Sequence, residues 1–599
     1  MRKTIVIFSV LVAAALALSG IFENEAMYGK IHADAQGYYG YLVGIFLEHS
    51  LDWEQVIHSY ADVYFDGGGA DFTVTSELGR VNKYYVGTAV LMLPFFLVTC
   101  LIAWALGFPV DGYSIPFHYG AMFGALFYVG IGMYFLALFI EKRGIRPWIA
   151  FLASILCLFA TPLFHYSVSE PAMSHAYSFG LFGLFLFLVD KWYSEDSRGV
   201  FLLASVVFGL VVLIRPINGL LILSALFISG GFAPLKSRIL SDRALVRKLV
   251  FAAIVIGAIL SIQSFMYLAQ VGKPIVWSYQ GEGFNFRDPE ILNFLFSYKK
   301  GLFVYTPFAL LGLIGMVLLA VKKPGQGVWL LIFILIVVYV LSSWWNWYYG
   351  SSLGMRAMVE FMPFFAVGLA FLLNEVNGTI RAVLLFFCLL FSYVNLVQSY
   401  QYQKFILHWV GMDKDRFWTI FMKTDRRYDG IFYREEQKAP EVNEEQILDR
   451  VVFESDLEDG TNWGPQGRNE VRAVSGKWST MVNAESPYGS TLGIPVSELG
   501  ITGSRKLHIT AKVWSEQAYP NLTIAYSYRG NNGDYGHDYV SLGHLVTEPD
   551  KWLTVETLVP MNLPSDSLAS WIVYPHNTSK VDVYLDDIRY EVLTLRDQP

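Results

Sequence analysis

At 599 residues, with 54% apolar and only 16% charged side chains and a mean hydropathy of +0.41, the chain carries too little charge to cover one large water-soluble globule and too much apolar surface to stay disordered. The formal net charge of −7 argues against a nucleic-acid partner. Three cysteines, Cys100, Cys157 and Cys388, each inside an apolar run, make neither a disulfide framework nor a thiolate metal site. What remains is a chain embedded in a membrane.

The averages conceal a division. Residues 441–599 hold 23 acidic and 12 basic side chains, a net of −11, which leaves 28 acidic and 32 basic, a net of +4, for residues 1–440. Spanning a bilayer core of ~30 Å takes roughly 20 apolar residues. Such stretches occur at 4–21, 86–107, 114–140, 147–165, 173–190, 199–214, 216–233, 249–270, 301–320, 326–343, 357–374 and 379–398, and none follows residue 400. They predict a polytopic α-helical membrane domain of about 11–13 spans over residues 1–400. The first stretch follows Arg2-Lys3 and reads as an uncleaved anchor, with a cleaved secretory signal as the alternative; either places the chain after residue 22 outside. The pair 199–214 and 216–233 reads either as two spans or as one helix kinked at Arg215-Pro216.

Short loops rich in Lys and Arg mark the cytoplasmic side. Those are 141–146, 236–248 and 322–323, which leaves 23–85, 166–172, the Arg215 corner, 271–300 and 344–356 outside. Parity then fails once: starting outside and reaching the cytoplasm at 141 needs an odd number of crossings, and two are counted. Either one segment within 86–140 is re-entrant or one loop is assigned to the wrong side.

Residues 401–445 form an interfacial linker, with Trp409, Phe417, Trp418 and Phe421 set among Lys and Arg. From 446 to 599 the hydrophobic period changes. Short alternating runs at 506–513, 522–526, 552–556 and 581–585, punctuated by Gly, Pro and Asn, predict a soluble all-β sandwich of the jelly-roll kind.

Ionisable groups at membrane depth are costly and tend to be functional, and the candidates gather on the external side. Asp34 lies just beyond the first span and is followed by Tyr38, Tyr39 and Tyr41; a carboxylate there suits a general base or a plain solvated loop. Lys83 opens a helix and either pairs a phosphate or snorkels. Glu170, with His165 and His175, interrupts two apolar spans in a segment without a basic residue. Arg215 needs a partner, whether a carboxylate such as Glu170 or a ligand. Glu282, Lys299 and Lys300 sit in an aromatic-rich external loop. Trp344-Trp345-Asn346-Trp347-Tyr348-Tyr349 exceeds the needs of an interfacial belt; aromatic faces stack on sugars, and the Gly/Ser run up to Arg356, with Glu360 beyond, lets a phosphate approach the backbone.

In this order and with this span count, the Asp34 loop with its tyrosines, Lys83-Tyr84, Glu170-Pro171 and the late Trp-rich loop ending in Gly354-Met355-Arg356 resemble the integral-membrane glycosyltransferases of the GT-C superfamily, near bacterial protein O-mannosyltransferases and the lipid A aminoarabinose transferase. Two departures stand out. Many relatives have a second acid where Ala35 follows Asp34, and Trp344-Trp345-Asn346 is not the Trp-Trp-Asp of oligosaccharyltransferases. The resemblance implies inverting transfer of a sugar from a polyprenyl-phosphate donor to a hydroxyl of a glycan, lipid or protein, at the periplasmic face of a bacterial inner membrane. Asp34 would be the general base, and Glu170, the other residue counted as catalytic, would with His175 orient sugar or acceptor. Lys83, Arg215, Arg356, Lys299 and Lys300 would meet the donor phosphate. Tyr38, Tyr39, His175, Glu282, Trp344, Trp345, Trp347 and Glu360 would hold sugar or acceptor. No cofactor is required by this chemistry, and a catalytic divalent metal is left open.

The tail resembles a carbohydrate-binding-like jelly roll, carried by Phe453-Glu454-Ser455-Asp456, Ser475-Gly476-Lys477-Trp478-Ser479 and Val583-Tyr584-Leu585-Asp586-Asp587-Ile588. Such modules often share a structural Ca²⁺ between a first-strand acid and a last-strand Asp, here Glu454 and Asp586. Shielding the mouth of the membrane site is the other role open to it. The rival classes are a transporter or flippase for lipid-linked glycans, a polysaccharide polymerase or ligase, and a non-catalytic anchor; no internal symmetry of the kind expected for transport is present.

Overall fold

The computed structural model describes residues 2–20, 30–57, 72–76, 79–240, 245–437, 441–442, 444–458, 463–499, 505–529, 535–561, 570–577 and 580–596. Two compact units result. One comprises residues 1–403 with 409–422, the other 404–408 with 423–599. The expected linker 401–445 is therefore divided between them: 401–403 and 409–422, with its helix Lys414–Ile420, belong to the helical unit, and 404–408 and 423–445 belong to the β unit.

The first unit is that of an integral membrane protein. Among the described residues, six helices are long and apolar enough to cross a membrane: Gly87–Leu106, Ile115–Lys142, Val246–Val271, Pro324–Ser342, Arg356–Glu375 and Gly378–Gln403. A seventh crossing would join Pro216–Ser229 to Phe232–Leu240, which meet at a 93° bend. Ile5–Leu18, Pro147–Phe159, Arg198–Ile214 and Pro307–Lys322 are shorter apolar helices. The stretch where the first segment would leave the membrane, residues 21–29, lies outside the described residues. Both helices within 86–140 are long enough to span, so neither shows the shortness of a re-entrant segment. Nor does one kinked helix run through residue 215. Arg215 is extended (φ −153°, ψ 124°), because Pro216 disfavours the helical conformation in the residue before it.

Small residues set the packing, as expected where lipid offers no hydrophobic drive between helices. A Cβ on Gly183 would collide with the backbone of Gly132, and one on Gly315 with that of Gly368, so these helix pairs touch backbone to backbone. The helix Ser174–Glu195 carries His175 in its first turn and Asp190 fifteen residues on, about 22 Å along the axis. Asp190 holds Lys142 (3.2 Å) and Arg143 (2.6 Å), and Asp196 holds Arg238 and Lys248 (2.8 Å each). The basic loops 141–146 and 236–248 thus share one end of this helix, and His175 lies at the other.

The second unit packs two antiparallel sheets. One has strand order β10-β7-β12-β5-β4, with β3 (Ile447–Ser455) also on β12; the other runs β6-β11-β8-β9. Here β4 is Arg468–Asn469, β5 Ser479–Val482, β6 Leu492–Pro495, β7 Arg505–Ser515, β8 Thr523–Arg529, β9 Tyr535–Ser541, β10 Leu553–Met561, β11 Ser570–His576 and β12 Val583–Leu595, and β1 (Thr73–Ser76) and β2 (Gly79–Asn82) form a hairpin in the first unit. Strand alternation sends Leu507, Ile509, Ala511 and Val513 inward against Trp571, Val573 and Ile524 of the facing sheet. The four alternating runs read from the sequence fall within or overlap β7, β8, β10 and β12.

The two acids expected to share a calcium have other partners in the structure. Asp586 is buried, its Oδ2 accepting from the Val474 and Ser475 amides and its Oδ1 from that of Asp587. Glu454 is exposed and faces Arg589 at 3.4 Å. A carboxylate already filled by N–H donors has little left for a cation. Among the described residues no group of three or more His, Cys, Asp or Glu is arranged to hold a metal.

Candidate active site

Asp34 begins the helix Asp34–Phe46, where the positive end of the helix dipole favours a carboxylate. Ala33 before it takes φ 49°, a costly conformation for a residue with a Cβ, of the kind that concentrates at functional sites. The Asp34 Oδ2 lies 2.8 Å from Arg356 Nη2, and Tyr84 hydrogen-bonds the same carboxylate. Burial, the largest influence, opposes its charge; Arg356 and the hydrogen bonds outweigh burial and hold the carboxyl below its ordinary range.

Glu170 sits between the helices Leu163–Val168 and Ser174–Glu195. Its Oε1 is 3.2 Å from His165 Nε2 and 3.8 Å from His32 Nε2. Burial again works against the charge, and the two histidines overcome it, so Glu170 also titrates well below the usual range. A third buried acid, Glu360, receives His175 Nδ1–H on Oε2 at 2.8 Å and Arg215 Nη1 on Oε1 at 3.0 Å. Lys83 pairs with Glu282, its ammonium 5.2 Å from the centre of the Tyr279 ring. Tyr38 feels the charges of both Arg215 and Asp34, which places it between the Asp34 and Glu360 pairs.

These groups surround one cavity of about 400 Å³, within the roughly 300–1,000 Å³ usual for small-molecule sites. His32, Asp34, Tyr38, Lys83, Tyr84, Glu170, His175, Arg215, Tyr279, Glu282 and Arg356 give it polar walls, and Trp277, Phe284, Trp344, Trp345, Tyr349, Tyr402 and Trp409 give it aromatic ones. Two loops are stitched together over it: Phe284 bridges Trp344, and Trp345 N donates to Gly283 O at 2.9 Å.

Ten of the fifteen residues expected in the membrane site line this cavity: Asp34, Glu170, Lys83, Arg215, Arg356, Tyr38, His175, Glu282, Trp344 and Trp345. The other five stand off it. Tyr39 turns away because consecutive helical residues point about 100° apart, and it packs on Phe96 and Tyr113. Trp347 packs on Tyr348. Lys299 lies over the Tyr348 ring at 3.5 Å. Lys300 is fully buried and donates to the carbonyls of Ser352 and Trp409, a staple between loops; burial pushes its ammonium well below the ordinary lysine range. Glu360 lies behind the wall, anchoring Arg215 and His175. Sequence reasoning left out His32, Tyr84, Tyr279, Tyr349, Tyr402 and Trp409. His32 and Tyr84 were adjacent to chosen residues; Tyr402 and Trp409 fall in the stretch read as a linker, where nothing marked them.

No family model matches the chain, and no curated protein matches it. Solved structures similar to it include an arabinosyltransferase of Mycobacterium smegmatis, at 11% identity over 79% of this chain and 57% of that one, with a TM-score of 0.32. Another is an oligosaccharyltransferase of Archaeoglobus fulgidus, solved with an inhibitory peptide and a dolichol-phosphate, at 12% identity over 73% of this chain and 59% of that one, with a TM-score of 0.38. The chain thus spans less than two thirds of the length of either enzyme. Both are GT-C glycosyltransferases. A xylan-binding domain, CBM22-1 of Paenibacillus barcinonensis Xyn10C, matches at 16% identity over 26% of this chain and 99% of that domain, with a TM-score of 0.19. Likenesses at these scores leave the reaction to be read from the cavity's own side chains.

Proposed function

We propose that the protein transfers a sugar from a polyprenyl-phosphate-linked donor to an acceptor hydroxyl, at the external face of a bacterial inner membrane, by a single inverting displacement. The observation that carries this reading is the Asp34–Arg356 pair on the wall of a cavity lined with tryptophan and tyrosine, where the Asp34 side chain is 31% exposed. Tryptophan and tyrosine faces suit a sugar. Departure of a lipid phosphate calls for nearby cations rather than a covalent nucleophile, and Lys83, Arg215 and Arg356 all reach the wall. Asp34 takes the proton of the acceptor hydroxyl. An incoming phosphate competes with Asp34 for Arg356, which frees the carboxylate at the moment a base is needed.

The test is incubation of the purified full-length protein with radiolabelled polyprenyl-phosphate sugars, with and without glycan, lipid and protein acceptors. Acceptor-dependent release of label supports transfer; no release with any donor overturns it. Asp34→Asn should abolish transfer in protein that still folds, with a lowered thermal midpoint because Arg356 loses its carboxylate, whereas full activity in that variant removes Asp34 from the reaction.

A further inference from the structure

We infer that His175 is a further catalytic residue of this site, the acid that protonates the departing phosphate, with Glu360 as its positioning residue; the inference rests on the sugar-transfer reading and deepens it. A carboxylate can only accept, so the 2.8 Å contact between His175 Nδ1 and Glu360 Oε2 fixes the hydrogen on Nδ1. That leaves Nε2 as the nitrogen available to a ligand in the cavity that His175 lines.

Glu360 holds Arg215 on its other oxygen, so one buried carboxylate presents a guanidinium and an imidazole side by side. The three cation pairs around the cavity differ in where the acid sits. Asp34 and Glu282 lie on the wall and meet any ligand directly. Glu360 lies behind the wall and is fully buried, while the Arg215 side chain keeps 19% exposure. An arriving phosphate would repel Asp34 and Glu282, but it can bind Arg215 and His175 without disturbing their anchor. The charged groups facing His175 are Glu360, Arg215 and Arg356, and the Tyr166 ring packs against it at 4.9 Å. A phosphate on Nε2 puts an anion on each side of the imidazole, which favours the imidazolium. In the transfer step the bond between the sugar's anomeric carbon and the phosphate oxygen breaks, and its electron pair stays on that oxygen, which takes the Nε2 proton. The acceptor oxygen bonds the same carbon and gives its proton to Asp34. Return of that proton from Asp34 to His175 through solvent resets the site.

The lipid product serves as the probe. Purified full-length protein in detergent is titrated calorimetrically with undecaprenyl phosphate, in buffers of different ionisation enthalpy, to count protons taken up. Wild type should take up more protons per lipid than His175→Gln, which keeps a donor toward Glu360, and its affinity should fall with rising pH by up to about tenfold per unit more steeply than the variant's. Equal uptake and equal pH dependence would overturn the role of His175 and leave the sugar-transfer reading standing. No binding of undecaprenyl phosphate by wild type would overturn both. Inorganic phosphate is the second arm: proton-coupled binding of inorganic phosphate, without any of the lipid, would keep the anion site and refute a lipid donor.

Discussion

Asp34 with Arg356 in the helical unit and Glu444 with Arg450 in the β unit are both ion pairs at 2.8 Å. Their surroundings give them different meanings. Glu444 is 80% exposed and Arg450 37%, so water competes for both, and such a pair contributes ~0–1 kcal/mol. Around the cavity the acids are less exposed, from 1% for Glu360 to 31% for Asp34, and each has a named partner: Asp34 has Arg356 and Tyr84, Glu170 has two histidines, Glu360 has His175 and Arg215, and Glu282 has Lys83. Charges around the cavity are therefore specific, each tied to a partner, and the exposed ones of the tail are individually replaceable.

The largest expected break of this contrast is Asp34→Asn. Removing a general base costs about 10²–10⁴ in rate, so transfer should fall by that factor; the amide keeps the shape but leaves Arg356 without its carboxylate, so the melting of the full-length protein should drop as well. Next comes Glu360→Gln. It strands Arg215 as a buried cation, and loss of one partner of a buried pair costs about 3–5 kcal/mol. The thermal midpoint of the full-length protein should drop clearly, and an unchanged midpoint would show that water reaches Arg215 freely. An equivalent loss confined to the β unit should follow Trp571→Ala, since emptying a fully buried aromatic site costs about 3–5 kcal/mol; protease sensitivity of the tail is the readout there.

The pH dependence sharpens the same point. Asp34 and Glu170 both titrate below their ordinary values of 3.8 and 4.5. An acid depressed by folding stabilises the folded state at pH above its unfolded value, and loses that contribution as pH falls through the folded one. Stability owed to these two groups should stay level from neutral pH down to about 4.5 and decline only below it, which thermal melts at graded pH will show. Arg356→Gln removes the guanidinium that holds Asp34 down, so the acid limb of the transfer rate should move to higher pH.

Much of this was legible beforehand, for definable reasons. Long apolar runs and the switch to period-two alternation report burial directly, so the helical unit, the β unit and strands β7, β8, β10 and β12 could be read without coordinates. Asp34, Glu170, Arg215 and Arg356 stood out because charge at membrane depth demands a partner. Their pairing could not be read. Composition suggested Glu170 for Arg215, but the fold gives Arg215 to Glu360, 145 residues away, because the turn Arg356–Phe361 packs against the helix that carries His175. Lys300 misled for a related reason: a lysine beside aromatics in an external loop looks like a phosphate ligand, and only tertiary packing shows its ammonium spent on two carbonyls. Tyr402 and Trp409 carry no local signal, since aromatics at a helix end serve equally as interfacial anchors.

The smallest effect belongs to the tail's exposed charges. Arg450→Ala removes two hydrogen bonds to Glu444 and a 4.0 Å contact with Glu591. Glu591 keeps His508 on one oxygen and Arg589 on the other, so no carboxylate is stranded. The expected loss is under about 1 kcal/mol, shrinking further in high salt because exposed charges are screened. Double-mutant cycles would give the comparison its clearest form. The Arg450–Glu444 coupling should vanish between low and high salt, while the Arg215–Glu360 coupling should largely persist, because Glu360 is fully buried. Equal salt sensitivity in the two cycles would mean that the cavity floor is as wet as the outside of the sandwich.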